Sequence, residues 1–95
     1  MATATSAAGK RHLALLHTLR CVVCWACYGK VVPATEAHHL EFVRGEHSAF
    51  ATAPVCGACH DELHAQRRRA FYRAHRLDDV KLLAHTIRLI EEALQ

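Results

Sequence analysis

The sequence predicts a small α+β domain, and three observations carry that expectation. Two cysteine pairs, Cys21-Val-Val-Cys24 and Cys56-Gly-Ala-Cys59, stand far apart in the chain like two knuckles. Between them lies a stretch rich in β-branched and aromatic residues with turn formers. After the second pair the spacing turns helical and stays so to the C-terminus. Ninety-five residues support one compact domain, and the modest core of so short a chain makes a metal staple useful.

The cysteines name the staple. There are five, so a disulfide ladder would leave one unpaired. The N-terminal residues lack the apolar run of a signal peptide, and no segment approaches the roughly 18 apolar residues of a membrane span. The expectation is therefore a cytoplasmic protein without a membrane partner, in which thiols stay reduced and paired cysteines bind metal or do redox work. No βαβ frame surrounds either pair, which disfavours redox work. Cys21, Cys24, Cys56 and Cys59 make the simplest structural zinc site, with Cys27 as the alternative to Cys21 because Cys24-Trp-Ala-Cys27 is an equally good knuckle. Cys56-Gly-Ala-Cys59-His60 also spells a haem-attachment motif, but the only methionine is Met1 and no export signal is visible, so haem is set aside.

Taken in order, residues 1–9 read as a disordered tail of small polar residues. Residues 10–20 read as a helix with Leu13, Leu15, Leu16 and Leu19 on its apolar side, stopping at Cys21. Val31 to Val43 suits the short strands of a hairpin with turns near Pro33 and Gly45, and Thr52 to Val55 a return segment that Pro54 confines to an edge or an end. From Cys59 one helix is expected to run through the arginines to Phe71 and Tyr72, since no Gly or Pro stops it, and to break near Leu77. Asp78 is a good N-cap for a last helix, with Leu77 and Leu82 as its hydrophobic staple. Val80, Leu83, Ile87, Ile90 and Leu94 form its expected buried stripe. The same spacing would suit a dimer seam, but it covers only about two heptads, so the chain reads as a monomer, or as a homodimer through this terminal helix. The domain thus spans 10–95, with the knuckles and core over 21–64 and a basic helical extension followed by the amphipathic helix over 65–95.

Twelve Lys and Arg against nine Asp and Glu give a net charge of only +3, a weak argument for a polyanionic partner. Distribution says more, because Arg67, Arg68, Arg69, Arg73 and Arg76 follow one another without an acid. On its own that run would be an ordinary solvated helix face. The histidines add to it. Of nine, five (His38, His39, His47, His60 and His64) fall in a 27-residue window that also holds Cys56 and Cys59. His12, His17, His75 and His85 are read as ordinary core or surface residues. His60 and His64 are four apart, so on a helix both reach one ion. His38 and His39 are strand neighbours pointing to opposite faces, so one can ligate while the other moves a proton.

Cys21-Val-Val-Cys24, Glu36-Ala37-His38-His39-Leu40, Pro54-Val55-Cys56-Gly57-Ala58-Cys59-His60 and finally His64 together resemble an HNH endonuclease of the ββα-metal type. The nearest resemblance is to phage-type, RecA-dependent recombination-enhancing HNH nucleases, over about Leu13 to His64. It implies a zinc-stapled ββα-metal domain flanked by an N-terminal helix and C-terminal helices. It also implies hydrolysis of phosphodiester bonds with His39 as general base and a catalytic cation on His38, His60 and His64, leaving 5′-phosphate and 3′-hydroxyl ends. Three imidazoles suit Zn, Ni, Co or Mn better than Mg, which would be a weaker occupant. Because the base works as neutral imidazole, activity is expected to fall in acid.

The resemblance further implies a nucleic-acid substrate, DNA before RNA, with Arg67, Arg68, Arg69 and Arg73 on its phosphates, weak sequence preference, and a phage or prophage origin. One departure stands out. The asparagine that ties the loop between the strands in relatives has no counterpart, because this chain contains no asparagine; His47, Ser48 and Thr52 are the candidates for its place. The competing reading is a zinc module that binds nucleic acid or protein without cutting. It leaves His38, His39 and His64 without a purpose. A zinc-protease reading fails because Asp61, not Glu, follows His60.

Overall fold

The computed structural model describes residues 5–95; Met1 to Ala4, part of the expected tail, lie outside the described residues. Helix α1 runs Ala7–Leu16, so regular structure begins ahead of the expected boundary at Lys10 and ends before Arg20. The early start has a local cause. Ser6 caps the helix by accepting the Gly9 N–H at 3.0 Å. Gly9 in turn lets α1 approach a 3-10 turn at Gly45–Phe50, since a Cβ there would lie 3.1 Å from the Ala49 methyl.

Beyond α1 the chain becomes extended. The Cys21 N–H donates to the Val32 carbonyl at 2.6 Å, and the Ala34 N–H to that of Leu19 at 3.1 Å. Val31 and Val32 were expected to open the hairpin; instead their segment braces the first knuckle, with Pro33 bridged to Arg20. The knuckle itself carries a helix the sequence did not suggest, α2, over Val22–Tyr28. It ends at Gly29, whose φ of 63° is left-handed, and the Lys30 N–H returns to the Cys24 carbonyl at 3.1 Å. Val22 and Val23 are fully buried.

Strand β1 (Glu36–His39) pairs antiparallel with β2 (Thr52–Val55), with His38 opposite Ala53 and His39 opposite Thr52. All four residues of β2 are buried, and the strand packs against both α2 and the last helix. Helix α3 (Gly57–Glu62) follows β2 at once, so two strands and a helix succeed one another, with the 3-10 turn between the strands.

The continuous helix expected from Cys59 to Tyr72 is broken. Helix α3 stops at Glu62, and α4 (Ala65–His75) starts afresh with His64 as its extended N-cap residue, φ −67° and ψ 153°. The cause is tertiary. Leu63, 0% exposed, drops into the core, and turning there frees the chain to change direction. Arg76, left-handed at φ 54°, ends α4 close to the expected break.

Helix α5 (Asp79–Ala93) begins as foreseen, with Asp78 Oδ1 accepting the Lys81 N–H at 2.7 Å and Leu77 and Leu82 both joining the core. Its buried face is not the expected stripe. Leu82, Thr86 and Leu89 point inward, while Val80, Ile87 and Leu94 are 70%, 50% and 69% exposed. Thr86 fits because its hydroxyl donates to the Leu82 carbonyl at 2.9 Å, so it buries no unmet polar group. Among the described residues no helix is long and apolar enough to cross a membrane.

Candidate metal centre and histidine cluster

Cys21, Cys24, Cys56 and Cys59 come together, with all four sulfurs within 4.8 Å of one another. Cys21 is the N-cap of α2 and Cys24 lies one turn in, where the cap sulfur accepts its N–H at 3.5 Å. Cys56 and Cys59 hold the same two places on α3, at the end of β2. The sheet thereby sets one helix start against the other. Cys24 Sγ is 3.9 Å from Cys56 Sγ and 3.8 Å from Cys59 Sγ. Bonds of about 2.3 Å to a tetrahedral zinc give S···S edges of about 3.8 Å, so the donor set and its spacing are consistent with a structural zinc. All five cysteines are free thiols. Cys27, next on α2, is outside the quartet, so the fourth position belongs to Cys21.

Electrostatics point the same way. Burial, then the neighbouring Cys21, pushes the Cys24 thiol up to about 11. Burial and the Cys21 charge push Cys59 up further. Burial alone would also raise Cys56, but hydrogen bonds from Cys59, and then from Cys21 and Cys24, together outweigh it and bring that thiol below its ordinary value. Four thiolates this close cannot all ionise by themselves, whereas a divalent cation among them makes ionisation favourable.

The histidines form a second group beside α3. His38 is buried at 7% exposure, its ring edge-on to that of His60 with centroids 5.6 Å apart. The His60 and His64 rings stack at 5.1 Å, although His64 no longer belongs to the same helix. Glu36 Oε2 holds His60 Nδ1 at 2.8 Å. Burial first, and then the charge of His60, lowers His38 to about 4, so its imidazole is neutral, and its Nε2 is buried without a hydrogen-bond partner. A buried, neutral, unpartnered ring nitrogen fits a cation ligand. The three rings are neighbours only, however: among the described residues, the cysteines alone bring three or more ligand atoms within 4.8 Å of one another. His39, next to His38, is exposed and faces the other side of the strand.

The remaining candidates divide. Of the residues considered for the absent asparagine, Thr52 is buried and its hydroxyl donates to the Ala49 carbonyl at 2.8 Å, tying the inter-strand loop to β2. Ser48 accepts the Ala51 N–H through its backbone, and His47 sits in the 3-10 turn. Arg68 is engaged within the fold by a two-pronged pair with Glu41 at 2.7 and 2.9 Å. Arg67 approaches Glu62 at 3.6 Å, while Arg69 and Arg73 are exposed. Two open depressions of about 520 Å³ border this helix, one lined by Asp61, His64, Gln66 and Arg67, the other by Gln66, Arg68, Arg69 and Tyr72.

Glu36 was missed as a functional residue, yet the sequence held the signal: strand alternation puts residue 36 on the same face as residue 38. No such signal announced the Glu41–Arg68 pair, whose partners are 27 residues apart. The chain matches no protein-family model, no curated protein and no solved structure.

Proposed function

We propose that this chain is a metal-dependent HNH-type endonuclease that hydrolyses phosphodiester bonds in DNA with little sequence preference. The observation that carries the reading is His38: a buried neutral imidazole with an unpartnered Nε2, beside His60 and His64 and next in sequence to an exposed histidine. A structural zinc on Cys21, Cys24, Cys56 and Cys59 fixes α2 against α3. His38, His60 and His64 would hold a second cation. When bound, that cation supplies the positive charge that polarises the phosphate and steadies the leaving oxygen.

The chain's own groups do the rest. Glu36 keeps the proton on His60 Nδ1 and leaves Nε2 for ligation. His39, reachable from solvent, accepts the proton of the attacking water. Thr52 holds the loop between the two strands. Arg69, which lines the depression shared with Gln66, Arg68 and Tyr72, and the exposed Arg73 one turn further along α4 would steady phosphates flanking the cut.

One observation favours the competing reading, a zinc module that binds nucleic acid or protein without cutting: the three imidazoles do not converge as the four thiols do. The deciding experiment offers zinc-loaded protein supercoiled plasmid and single-stranded circular DNA, with Mn, Ni, Mg or added Zn. Cutting that needs the metal and is lost in His39→Ala is the expected result. DNA left intact with every ion by folded, zinc-loaded protein would replace the nuclease with the binding module.

A further inference from the structure

Helix α5 turns an apolar stripe to solvent. Single exposed apolar side chains are common and mean little. Here they are in register. Val80, Ile87 and Leu94 recur every seven residues and are 70%, 50% and 69% exposed, and the half-buried Leu83 and Ile90 fill the intervening positions. Spacings of 3, 4, 3 and 4 are those of a coiled-coil seam. The stripe adjoins the face the domain buries, Leu82, Thr86 and Leu89, and of its five members Leu83 also packs against the core.

We propose that α5 packs antiparallel against α5 of a second copy of this chain along Val80, Leu83, Ile87, Ile90 and Leu94. Charge selects this occupant and this direction. Lys81, Ala84, Arg88 and Glu91 run in one row beside the seam, at spacings of three and four; within the chain Lys81 Nζ donates to the Arg76 carbonyl at 3.3 Å and Arg88 lies 5.3 Å from the Trp25 ring centroid, contacts that leave both cations on this row. An antiparallel pair centred on Ile87 lays Glu91 over the partner's Ala84, between the partner's Lys81 and the partner's Arg88. Alanine leaves room there, and the two-fold axis makes the contact twice. A parallel pair would set Glu91 against the partner's Thr86, with no cation in reach.

Two heptads are too few for free helices to associate, because each would have to form as it bound. That cost is absent here, since α5 is already capped by Asp78 and fixed on the domain. Fifteen residues give a helix about 22 Å long, which places the contact at or below the roughly 800 Å² per partner of a standard interface. The dimer is therefore weak and forms only as concentration rises. The proposal is independent of the nuclease reading.

Sedimentation velocity of the zinc-loaded full chain, kept reduced so that Cys27 cannot cross-link, tests it. The mass should rise with concentration from 10.6 kDa toward twice that value. Ile87→Glu, at a half-exposed position that folding does not use, should stay at the single-chain mass with an unchanged thermal midpoint. Glu91→Lys should weaken the dimer about tenfold, and Lys81→Glu with Arg88→Glu added to it should restore it. A single-chain mass at every concentration up to about 1 mM, an Ile87→Glu variant that still dimerises, or a charge reversal without effect would each overturn the proposal.

Discussion

Glu36 Oε2 lies 2.8 Å from His60 Nδ1, joining the first residue of β1 to the middle of α3. The two residues are 24 apart in sequence, and only the pairing of β1 with β2 brings them together. A carboxylate at this distance fixes which ring nitrogen carries the proton, and so which one a cation can use. Glu36→Ala should therefore weaken binding of a second divalent ion by about 10- to 100-fold. Titration calorimetry of Ni into zinc-loaded protein measures this, with zinc content as the control that the cysteine quartet is intact. Unchanged Ni affinity would reduce Glu36–His60 to an exposed surface pair.

The four thiols and the one left over make opposite predictions. Cys21→Ser and Cys59→Ser should each lose zinc and with it the packing of α2 on α3, because a metal bound only by the folded state stabilises that state. Cys27→Ser should keep one zinc per chain and its thermal midpoint. Metal analysis after dialysis, with circular dichroism melts, reads both. Zinc retained in Cys21→Ser and lost in Cys27→Ser would exchange their assignments.

The cysteine pairs were legible because ligand spacing is local: three positions apart at a helix start, twice over. So was the cap of α5, since Asp78 bonds its own helix three residues on. What escaped was set by contacts distant in sequence. Leu63 breaks a run that no Gly or Pro interrupts because the core accepts it, and propensity cannot foresee that. The inward face of α5 is not legible from polarity, because Thr86 is polar yet its hydroxyl is satisfied within the helix, while Val80, Ile87 and Leu94 are apolar and stand outside. Strand alternation puts His38 and His39 on opposite faces, and their burial differs accordingly, but the ring placement that leaves the three imidazoles adjacent without converging lies below anything spacing encodes.

His38 gives a pH prediction with a definite sign. Its pKa in the fold is lowered from 6.5 to about 4, by burial first and then by His60. Below pH 6.5 the unfolded chain takes up a proton that the folded chain refuses, so stability falls between about 6.5 and 4 and this contribution is constant below that. Nitrogen-detected imidazole NMR, with no second metal added, should show His38 neutral at pH 5. The stability loss between pH 7 and pH 5 should be smaller in His38→Gln than in the parent, a difference that cancels the shared loss from protonating the zinc thiolates. A His38 ring already charged at pH 6 would mean that water reaches it, and would remove the neutral ligand from the proposed site.

The arginines following His64 should not act alike. Arg68 is spent on Glu41 in an exposed pair that solvent screens, so Arg68→Ala and Glu41→Ala should cost similar small amounts of stability and leave DNA affinity nearly unchanged. Arg69 and Arg73 are exposed on the same helix, and replacing each by Ala should lower affinity for duplex of any sequence and reduce the slope of log affinity against log salt by about one for each phosphate no longer neutralised. Fluorescence anisotropy over a salt series separates the two classes. If Arg68→Ala flattens the slope as much as Arg69→Ala, the Glu41 pair opens on binding and Arg68 belongs to the phosphate-contacting face; if none of the three changes it, DNA does not approach along α4.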